Sequence, residues 1–309
     1  MLITAPWFTD EFLLKLQDKF QVSTNSMDRW YTEEELIRIM KDYDAVIAGL
    51  DPFTQRVLEN SKKLKIIARR GIGYDKIDLE TCRRKGIVVT NTPVPEEHEA
   101  VAEFTLGLIL DLTRNISTSS SSLKKGSWKR SNFLGLGLKD LTVGVIGLGH
   151  IGKKVAELLK LLGCNVIYSD PYVNDDRFLK VGIEELFSKA NVVTIHTPKS
   201  NETINLVNGD LLKRMKKGSF IINTSRAEVV NLEDLWVYLQ NGTISNVALD
   251  VFPVEPPGNL NFISNRDVIT TPHIAAFTKS SFHRIDEICY NNVVNVLLNS
   301  TLPDFTVNP

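Results

Sequence analysis

The sequence predicts an α/β fold with two domains, a Rossmann-type doubly wound parallel sheet and a smaller flavodoxin-like α/β domain. Three observations predict it. The chain has 309 residues, a length that suggests about two domains. Short apolar runs alternate with helical patterns along most of the chain, as in parallel sheets. A buried-strand pattern at 142–146 runs into glycines spaced G-x-G-x-x-G and then into a helical pattern, which is typical of a dinucleotide-binding unit.

The glycines of this loop have separate expected roles. Gly147 allows a tight turn, Gly149 lets the backbone approach a pyrophosphate, and Gly152 lets helix and strand pack closely. His150 and Ile151 open the helix, whose unpaired N–H groups attract phosphates. His150 would face the pyrophosphate or serve as a spacer. The alternative interpretation of the whole loop is a strand–helix turn that binds no ligand.

Asp170 ends the next predicted strand, 165–169, and bears on the choice of cofactor. An acidic residue about 20 residues after such glycines accepts hydrogen bonds from an adenosine ribose. The same carboxylate, about 4 Å from the 2′-phosphate of NADP, would repel it by roughly 1–4 kcal/mol per unit charge. Arg177 is the nearest following arginine and lies too far along the chain to compensate. The sequence therefore predicts NAD as the cofactor.

The composition is that of an ordinary globular protein. Hydrophobic residues make up 43% and charged residues 24%, and the formal net charge is −1. This balance gives no reason to expect nucleic acid or a membrane as a partner. The longest apolar stretch, 100–112, contains Glu103 and Asp111, so it is too short and too charged to span a bilayer.

The cysteines favour a cytoplasmic location. Cys82, Cys164 and Cys289 are widely spaced and form no C-x-x-C motif, which argues against a disulfide framework or a zinc site and suits a reducing compartment. We expect no metal. The N-terminal residues show no basic segment followed by an apolar run, so no secretory leader is expected.

The first part of the chain reads as a small parallel domain. Its predicted strands are 2–4, 45–47, 64–68 and 87–90. Its predicted helices begin at Thr9–Asp10, at a capping box formed by Thr32 and Glu35, and at Leu79. A long helix follows from Glu96, where we place the domain boundary. The final helix, about 279–299, would pack back on the first domain, which would then comprise 1–97 plus 282–309, with 98–281 as the nucleotide-binding domain.

The second part holds six predicted strands separated by helical patterns. The strands are 142–146, 165–169, 192–196, 220–223, 247–250 and 268–270, and the helices after the glycine loop are 183–190, 209–217 and 232–240. Such alternation matches a doubly wound sheet. A serine-rich run at 117–122 is either a loop or an exposed helix face, and carries no predicted chemistry.

Several polar residues directly follow predicted strands, where open α/β sheets bind their ligands. In the first domain, Arg70, Gly71, Ile72 and Gly73 follow the strand 64–68 and Arg69. The glycines would expose backbone N–H groups to an anion. The alternative is a glycine turn flanked by solvated basic residues.

In the second domain, Arg226, Asp250 with Glu255, and His273 follow three different strands. Arginine's rigid fork suits a carboxylate, and histidine suits proton exchange near neutral pH. A carboxylate in contact with the histidine would orient it and raise its pKa. His98 and His283 lie in helical patterns and are expected to be structural or exposed. His196, beside Thr197 and Pro198, would line the cofactor cleft.

These motifs together resemble the D-isomer-specific 2-hydroxyacid dehydrogenases, and within them the phosphoglycerate dehydrogenase-like group. The resemblance is carried by the glycine loop with Asp170, by Asn223-Thr224-Ser225-Arg226, by Leu249 to Pro256, and by Thr271-Pro272-His273-Ile274-Ala275. In the first domain, 69–78 resembles the family's Gly-x-Gly-x-Asp segment. The likeness covers nearly the whole chain.

The resemblance implies roles for these residues. Arg226 would bind the substrate carboxylate and the C2 oxygen, His273 would exchange a proton with that oxygen, and Glu255 would keep His273 protonated at higher pH. Asp250 would contact the nicotinamide carboxamide, and Thr224 would also lie in the cofactor site. Backbone N–H groups near Ile72 and Gly73 would hold the carboxylate. A homodimer through the nucleotide-binding domain is also implied.

The sequence departs from the family pattern in ways that bear on the substrate. Ala227 and Asn231 stand where the family usually has Gly and Asp, and 48–51 lacks the arginine that phosphoglycerate dehydrogenases use near the phosphate. Arg70 is our hypothesis for a residue that supplies the missing charge. Because the chain ends at Pro309, no C-terminal regulatory domain is expected.

We therefore expect an NAD-dependent enzyme that interconverts a small anionic D-2-hydroxy acid and its 2-oxo acid. A glyoxylate or hydroxypyruvate reductase on the same scaffold is the alternative, and phosphite oxidation uses the same three residues. A formate dehydrogenase would pair the histidine with Gln, against Glu255. The alternative of another class is a non-catalytic, NAD-sensing interaction protein similar to the corepressors that resemble this family.

Overall fold

Two parallel sheets organise the chain. The computed structural model describes residues 1–27, 29–258, 262–263 and 265–309. Its contacts divide the chain into a first unit, 1–97 with 277–309, and a second unit, 98–276. The later boundary lies before Phe277, rather than at the expected 281/282, because the ring of Phe277 packs against Trp7 and Phe282 of the first unit.

The first unit contains a five-stranded sheet of order β2-β1-β3-β4-β5. All pairings are parallel, and the order is that of flavodoxin-like folds, as the sequence predicted. Its strands are β1 Leu2–Ile3, β2 Ser23–Thr24, β3 Ala45–Ala48, β4 Ile66–Arg69 and β5 Val88–Thr90. Its helices are α1 Asp10–Gln17, α2 Glu33–Ile39, α3 Gln55–Asn60, α4 Leu79–Lys85 and the later α11 Lys279–Val294, which continues as a π-helical turn, Asn295–Asn299.

Local sequence fixes where these helices begin and end. Thr32 and Glu35 form the predicted capping box, since each side chain accepts a hydrogen bond from the other residue's backbone N–H. Asp78 caps α4 by accepting from the N–H of Thr81 at 2.9 Å. Gly86 ends α4 with φ at 68°, in the left-handed region that glycine adopts without steric cost.

The second unit contains a seven-stranded parallel sheet of order β12-β11-β10-β9-β6-β7-β8. Counted from β6, this is the Rossmann order 3-2-1-4-5-6 with one added edge strand. Its strands are β6 Thr142–Ile146, β7 Asn165–Ser169, β8 Leu179–Lys180, β9 Val192–Ile195, β10 Ser219–Asn223, β11 Ile244–Leu249 and β12 Val268–Thr270. Its helices are α6 Ile116–Lys124, α7 His150–Leu161, α8 Ile183–Lys189, α9 Gly209–Leu212 and α10 Leu232–Gln240; most of the long helix α5 Pro95–Arg114 also belongs to it.

Apolar side chains cover both faces of this second sheet. Along β10, Ile221 belongs to one buried cluster, whereas Phe220 and Ile222 belong to another. Such alternation follows from the two-residue period of a strand. The clusters exclude water from the strands and leave the carboxyl edge of the sheet to carry polar side chains. Among the described residues, no helix is both long and apolar enough to cross a bilayer.

Candidate active site

Two of the three glycines in the loop between β6 and α7 have no room for a side chain. Gly147 has φ at 83°, and a side chain there would place its Cβ 2.7 Å from the carbonyl oxygen of His196. A Cβ at Gly152 would lie 2.0 Å from the carbonyl oxygen of Gly147. A Cβ at Gly149, by contrast, meets no atom within 4 Å. Protein atoms thus fill the space beside Gly147 and Gly152. The space beside Gly149, at the N-terminus of α7, is open, which fits the close approach of a pyrophosphate.

His150 lies exposed at the first turn of α7 and stacks on His98, with ring centroids 4.8 Å apart and planes 6° from parallel. Burial, with a smaller contribution from His150, lowers the pKa of His98. Both rings therefore belong to the surroundings of the glycine loop, although the sequence assigned only His150 to it. Ile151, half-buried, packs against the cluster beneath the helix.

Asp170 lies directly after β7 and is held by the backbone around it. Its Oδ2 accepts from the N–H of Leu148 at 2.7 Å, and its Oδ1 accepts from those of Tyr172 and Val173 at 2.8 and 2.9 Å. Burial alone would raise the pKa of this carboxyl, but the three N–H donors outweigh it, and the pKa lies below its ordinary value. Asp170 is therefore ionised at neutral pH, beside the glycine loop.

His196, Thr197 and Pro198 follow β9, the neighbour of β6. The Nε2 of His196 lies 2.9 Å from the hydroxyl of Thr194, and burial lowers the pKa of its imidazole to about 3. His196 is thus neutral at physiological pH, which suits a residue that lines a cleft rather than one that donates a proton. Thr224, which follows β10, is buried and bonds through its hydroxyl to that of Thr105 at 3.0 Å.

Arg226 is positioned by a buried asparagine that the sequence did not single out by itself. The side chain of Asn223 donates to the carbonyl of Arg226 at 2.9 Å and accepts from the N–H and the hydroxyl of Ser225. Nη1 of Arg226 donates to the carbonyl of Ser225 at 2.9 Å. Ala227 begins a 3₁₀ turn, outside the residues with positive φ, so the alanine fits where the family usually has glycine. Asn231 caps α10.

The structure brings His273 and Glu255 together. Nδ1 of His273 lies 2.9 Å from one carboxylate oxygen of Glu255 and 3.0 Å from the other. The His273 side chain is 29% exposed and that of Glu255 only 11%. Because Nδ1 faces the carboxylate, Nε2 is the ring atom left to exchange a proton with a ligand. This juxtaposition joins residues from the ends of two adjacent strands, β11 and β12.

Asp250 is fully buried and shapes the loop that presents His273. Its Oδ1 accepts from the Thr271 hydroxyl at 2.6 Å and the Ile274 N–H at 2.9 Å, and its Oδ2 accepts from the Ala275 N–H at 2.9 Å. His273 itself has φ at 55°, in the left-handed region. Burial raises the pKa of Asp250, against these hydrogen bonds. The sequence predicted a cofactor contact for Asp250 and missed this support of the histidine loop.

The sheet order explains why these residues share one edge. Strands β7, β6, β9, β10, β11 and β12 lie side by side and parallel, so the loops after them meet at the same carboxyl edge. Those loops carry Asp170, the glycines, His196 to Pro198, Thr224 with Arg226, Asp250 with Glu255, and His273. Among the described residues, no group of His, Cys, Asp or Glu is arranged to hold a metal ion.

The predicted anion loop of the first unit follows β4. The N–H of Gly71 donates to the hydroxyl of Thr92 at 2.8 Å, and Nε of Arg69 donates to the carbonyl of Gly73 at 2.7 Å. In the described part of the chain, the N–H groups of Ile72 and Gly73 have no hydrogen-bond acceptor. Both residues are half-buried, so the loop keeps two N–H donors that no acceptor of the described residues uses.

Arg70 is placed differently from the rest of this loop. Its Nε lies 2.6 Å from Oδ1 of Asp286 on α11, and the two side chains are 4% and 5% exposed. Its Nη1 donates to the carbonyl of Trp7 at 2.9 Å. The guanidinium is therefore part of a buried ion pair within the first unit, whereas the sequence suggested a charge offered to the substrate.

Comparison with known proteins identifies the family. Residues 106–275 match the model of the D-isomer specific 2-hydroxyacid dehydrogenase, NAD binding domain. The D-3-phosphoglycerate dehydrogenase of Methanocaldococcus jannaschii is 35% identical over 305 residues, which cover 96% of this chain and 57% of that protein. The chain belongs to the D-isomer specific 2-hydroxyacid dehydrogenase family, and its second unit contains the family's NAD-binding domain.

Solved structures share the whole fold. A crystallised protein of Thermus thermophilus is 30% identical, with a TM-score of 0.90 and 99% of both chains covered. The D-lactate dehydrogenase of Aquifex aeolicus, crystallised with NAD and lactic acid, is 27% identical, with a TM-score of 0.86 and coverage of 100% of this chain and 98% of that one. The chain spans about half the length of the curated relatives it matches.

Proposed function

We propose that this protein is an NAD-dependent oxidoreductase that interconverts a D-2-hydroxy acid and the corresponding 2-oxo acid. The single observation that carries the proposal is the His273–Glu255 pair, with Nδ1 2.9 and 3.0 Å from the two carboxylate oxygens. The pair stands at the carboxyl edge of a sheet whose glycine loop belongs to a family NAD-binding domain. The family membership and the NAD-bound lactate dehydrogenase neighbour support the same activity.

The loops of the second unit would hold the cofactor. Gly149 leaves room for the pyrophosphate at the start of α7, and Asp170 offers its carboxylate to the adenosine ribose. Neutral His196, with Thr197 and Pro198, would line the cleft beside it. When bound, NAD supplies the hydride transfer at its nicotinamide ring.

The remaining residues divide the work on the substrate. Arg226 would bind the carboxylate and the C2 oxygen through its planar guanidinium. In reduction, Nε2 of His273 would give its proton to the C2 oxygen while hydride adds to C2, and in oxidation both would return. Glu255, in contact with Nδ1, would orient the ring so that Nε2 faces the substrate. The N–H groups of Ile72 and Gly73 would hold the substrate carboxylate.

Turnover of His273→Ala tests the proposal. General acid–base catalysis contributes about 10²–10⁴-fold, so we expect kcat with NADH and a 2-oxo acid to fall by at least about 10². The dissociation constant of NADH should change little, because the ring is expected to contact the substrate oxygen. His283→Ala, which removes a histidine from α11, is the matched control and should retain activity. Near-normal turnover of His273→Ala would remove this residue from the mechanism.

A homodimer is part of the proposal. Helix α6 has no buried residue, and with the following segment it exposes five large apolar side chains, a concentration that favours association. These are Ile116, Leu123, Trp128, Leu134 and Leu136. A second copy of the chain is the proposed occupant, and light scattering after size exclusion tests it, since a monomer at micromolar concentration would contradict it.

The three cysteines are free and buried, which supports a cytoplasmic location.

A further inference from the structure

Three aromatic rings form a cluster in the first unit, in contact with the side chain of Arg70. The Trp7 ring lies 4.8 Å from that of Phe277 and 5.0 Å from that of Phe282, and the two phenylalanine rings are 4.6 Å apart. Trp7 is 41% exposed and Phe277 48% exposed, whereas Phe282 is half-buried. The cluster therefore presents an apolar face of two large side chains and rests on the third.

Arg70 connects this cluster to the anion loop. Its guanidinium carbon stands 4.3 Å from the centre of the Phe282 ring and 5.6 Å from that of Trp7. One residue further along the chain, Gly71 begins the segment whose N–H groups are proposed to bind the substrate carboxylate. The residue that contacts the aromatic cluster through its guanidinium is thus the residue that directly precedes this segment.

The charge of Arg70 is neutralised where it stands. Asp286 lies 2.6 Å away, and both side chains are nearly inaccessible to water. Nη2 of Arg70 and Oδ2 of Asp286 are buried and have no hydrogen-bond partner in the described part of the chain. Separating such a buried pair is strongly unfavourable. The pairing with Asp286 therefore disfavours a role for Arg70 as the ligand of a substrate phosphate.

The neighbouring strand end also lacks a cation for a phosphate. A Cβ at Gly49 would lie 2.1 Å from the indole of Trp30, so the ring occupies the space that a side chain there would need. Asp51, two residues on, is buried and accepts from the Thr4 hydroxyl and the Tyr31 N–H. The buried carboxylate of Asp51 disfavours a phosphorylated ligand at the end of β3.

We propose that the substrate is a 2-oxo or 2-hydroxy acid with an uncharged, apolar side chain, and that Trp7 and Phe277 form the surface that recognises it. This inference rests on the proposed dehydrogenase function and specifies its substrate class. The carboxylate binds at Ile72 and Gly73, and the side chain packs on the exposed aromatic face. Phe282 and the Arg70–Asp286 pair act as positioning residues that fix this face beside the loop.

The test compares three 2-oxo acids as substrates with NADH: 4-methyl-2-oxopentanoate, 3-phosphohydroxypyruvate and glyoxylate, which has no side chain. We expect kcat/KM for the apolar acid to exceed that for the phosphorylated acid by at least about tenfold, since even one methylene group in an apolar pocket changes kcat/KM by about 10–200-fold. Phe277→Ala should lower kcat/KM for the apolar acid by about tenfold, mainly through KM, and should affect glyoxylate much less. Phe277→Leu should restore most of the loss.

Leu14→Ala is the matched control, because Leu14 is an exposed apolar residue of the first unit outside the cluster. Circular dichroism melting of each variant separates lost recognition from lost folding. A preference for 3-phosphohydroxypyruvate, or an equal loss for all three acids in Phe277→Ala, would overturn the inference. Calorimetric titration of the apolar and phosphorylated acids into the protein with oxidised NAD, which has no hydride to give to a 2-oxo acid, measures the preference without turnover. Preferential binding of the apolar acid with no turnover of any acid would reject the dehydrogenase function alone.

Discussion

The position of His273 is set by the hydrogen bonds of its loop as well as by the contact with Glu255. A non-glycine residue at φ 55° is uncommon. The residues on both sides of His273 donate hydrogen bonds to Asp250, Thr271 before it and Ile274 and Ala275 after it. The buried carboxylate therefore acts on the imidazole through the loop. Sequence spacing identified His273 and Glu255, but it could not show which acceptor holds three donors around the histidine.

Asp250→Ala removes that acceptor and should lower both activity and stability. Three donors, one buried and two partly buried, lose their partner, and an unsatisfied buried group costs about 1–3 kcal/mol. We expect kcat to fall by at least about tenfold and the melting temperature to fall with it. A residue that only contacted the nicotinamide carboxamide would instead raise KM for NAD and leave the melting temperature unchanged. Asp267→Ala, at a half-buried position of the second unit before β12, is the control.

Asp170→Asn should weaken the selectivity for NAD over NADP. The carboxylate is ionised at neutral pH because its pKa lies below the ordinary value, and its charge would oppose a 2′-phosphate by roughly 1–4 kcal/mol. We expect the ratio of kcat/KM for the two cofactors to shift toward NADP by about tenfold or more. Asp175→Asn, which alters a carboxylate paired with Arg177 in the same unit, checks for a nonspecific charge effect. An unchanged ratio in Asp170→Asn would contradict the assignment.

At the scale of elements, continuous apolar runs predicted the buried strands because both faces of a parallel sheet lie against helices. β6, β7 and β12 have the predicted bounds. The misses are short and exposed elements. β8 has two exposed residues, β2 has two polar ones, and α3 is a six-residue helix, so none carries a readable periodicity. The helix predicted at 209–217 ends at Leu212, because the following residues form turns.

The glycine loop offers a matched pair of substitutions at this scale. Gly152→Ala places a Cβ 2.0 Å from the carbonyl oxygen of Gly147, so strand and helix must separate, whereas Gly149→Ala meets no protein atom within 4 Å. We expect Gly152→Ala to lower the melting temperature and the affinity for NADH together. Gly149→Ala should lower the affinity alone. Fluorescence titration of NADH and thermal melting measure the two effects, and equal melting temperatures for the two variants would contradict this account.

At the scale of the whole molecule, the sequence predicted two parallel α/β sheets and which loops of the second one carry chemistry. It could not predict the surroundings of Arg70, because Arg70 and Asp286 are 216 residues apart along the chain. No local pattern encodes a pairing at that separation. The same holds for Trp30, which covers Gly49 from a segment without regular structure. Charge at a strand end is readable from the sequence, whereas its neutralisation is a property of the folded chain.

One buried carboxylate should make the stability of the protein depend on pH. Burial raises the pKa of Asp51 to about 6, above the ordinary 3.8, so the folded state binds this proton more tightly than the unfolded state. Asp51 therefore stabilises the fold fully below about pH 4, and this contribution is lost as pH rises to about 6. At 1.36 kcal/mol per unit the loss is about 3 kcal/mol.

Urea unfolding from pH 4 to pH 7 checks this expectation. The midpoint of the native protein, compared with that of Asp51→Asn, should decline across pH 4–6, because the variant lacks the titrating group. Parallel curves for the two proteins over that range would show that Asp51 does not titrate there. Asp44→Asn, in the same unit, is the control substitution.

The residues proposed to react lie between 223 and 273, whereas those proposed to recognise the substrate side chain are Trp7 and Phe277, on the other unit. Trp7 and Phe277 contact each other through their rings, and neither belongs to the hydrogen bonds described around His273. A library with random codons at Trp7 and Phe277 would therefore test new 2-oxo acids without changing the residues proposed to transfer the proton. This separation makes the scaffold a practical starting point for tailoring chiral hydroxy acid synthesis.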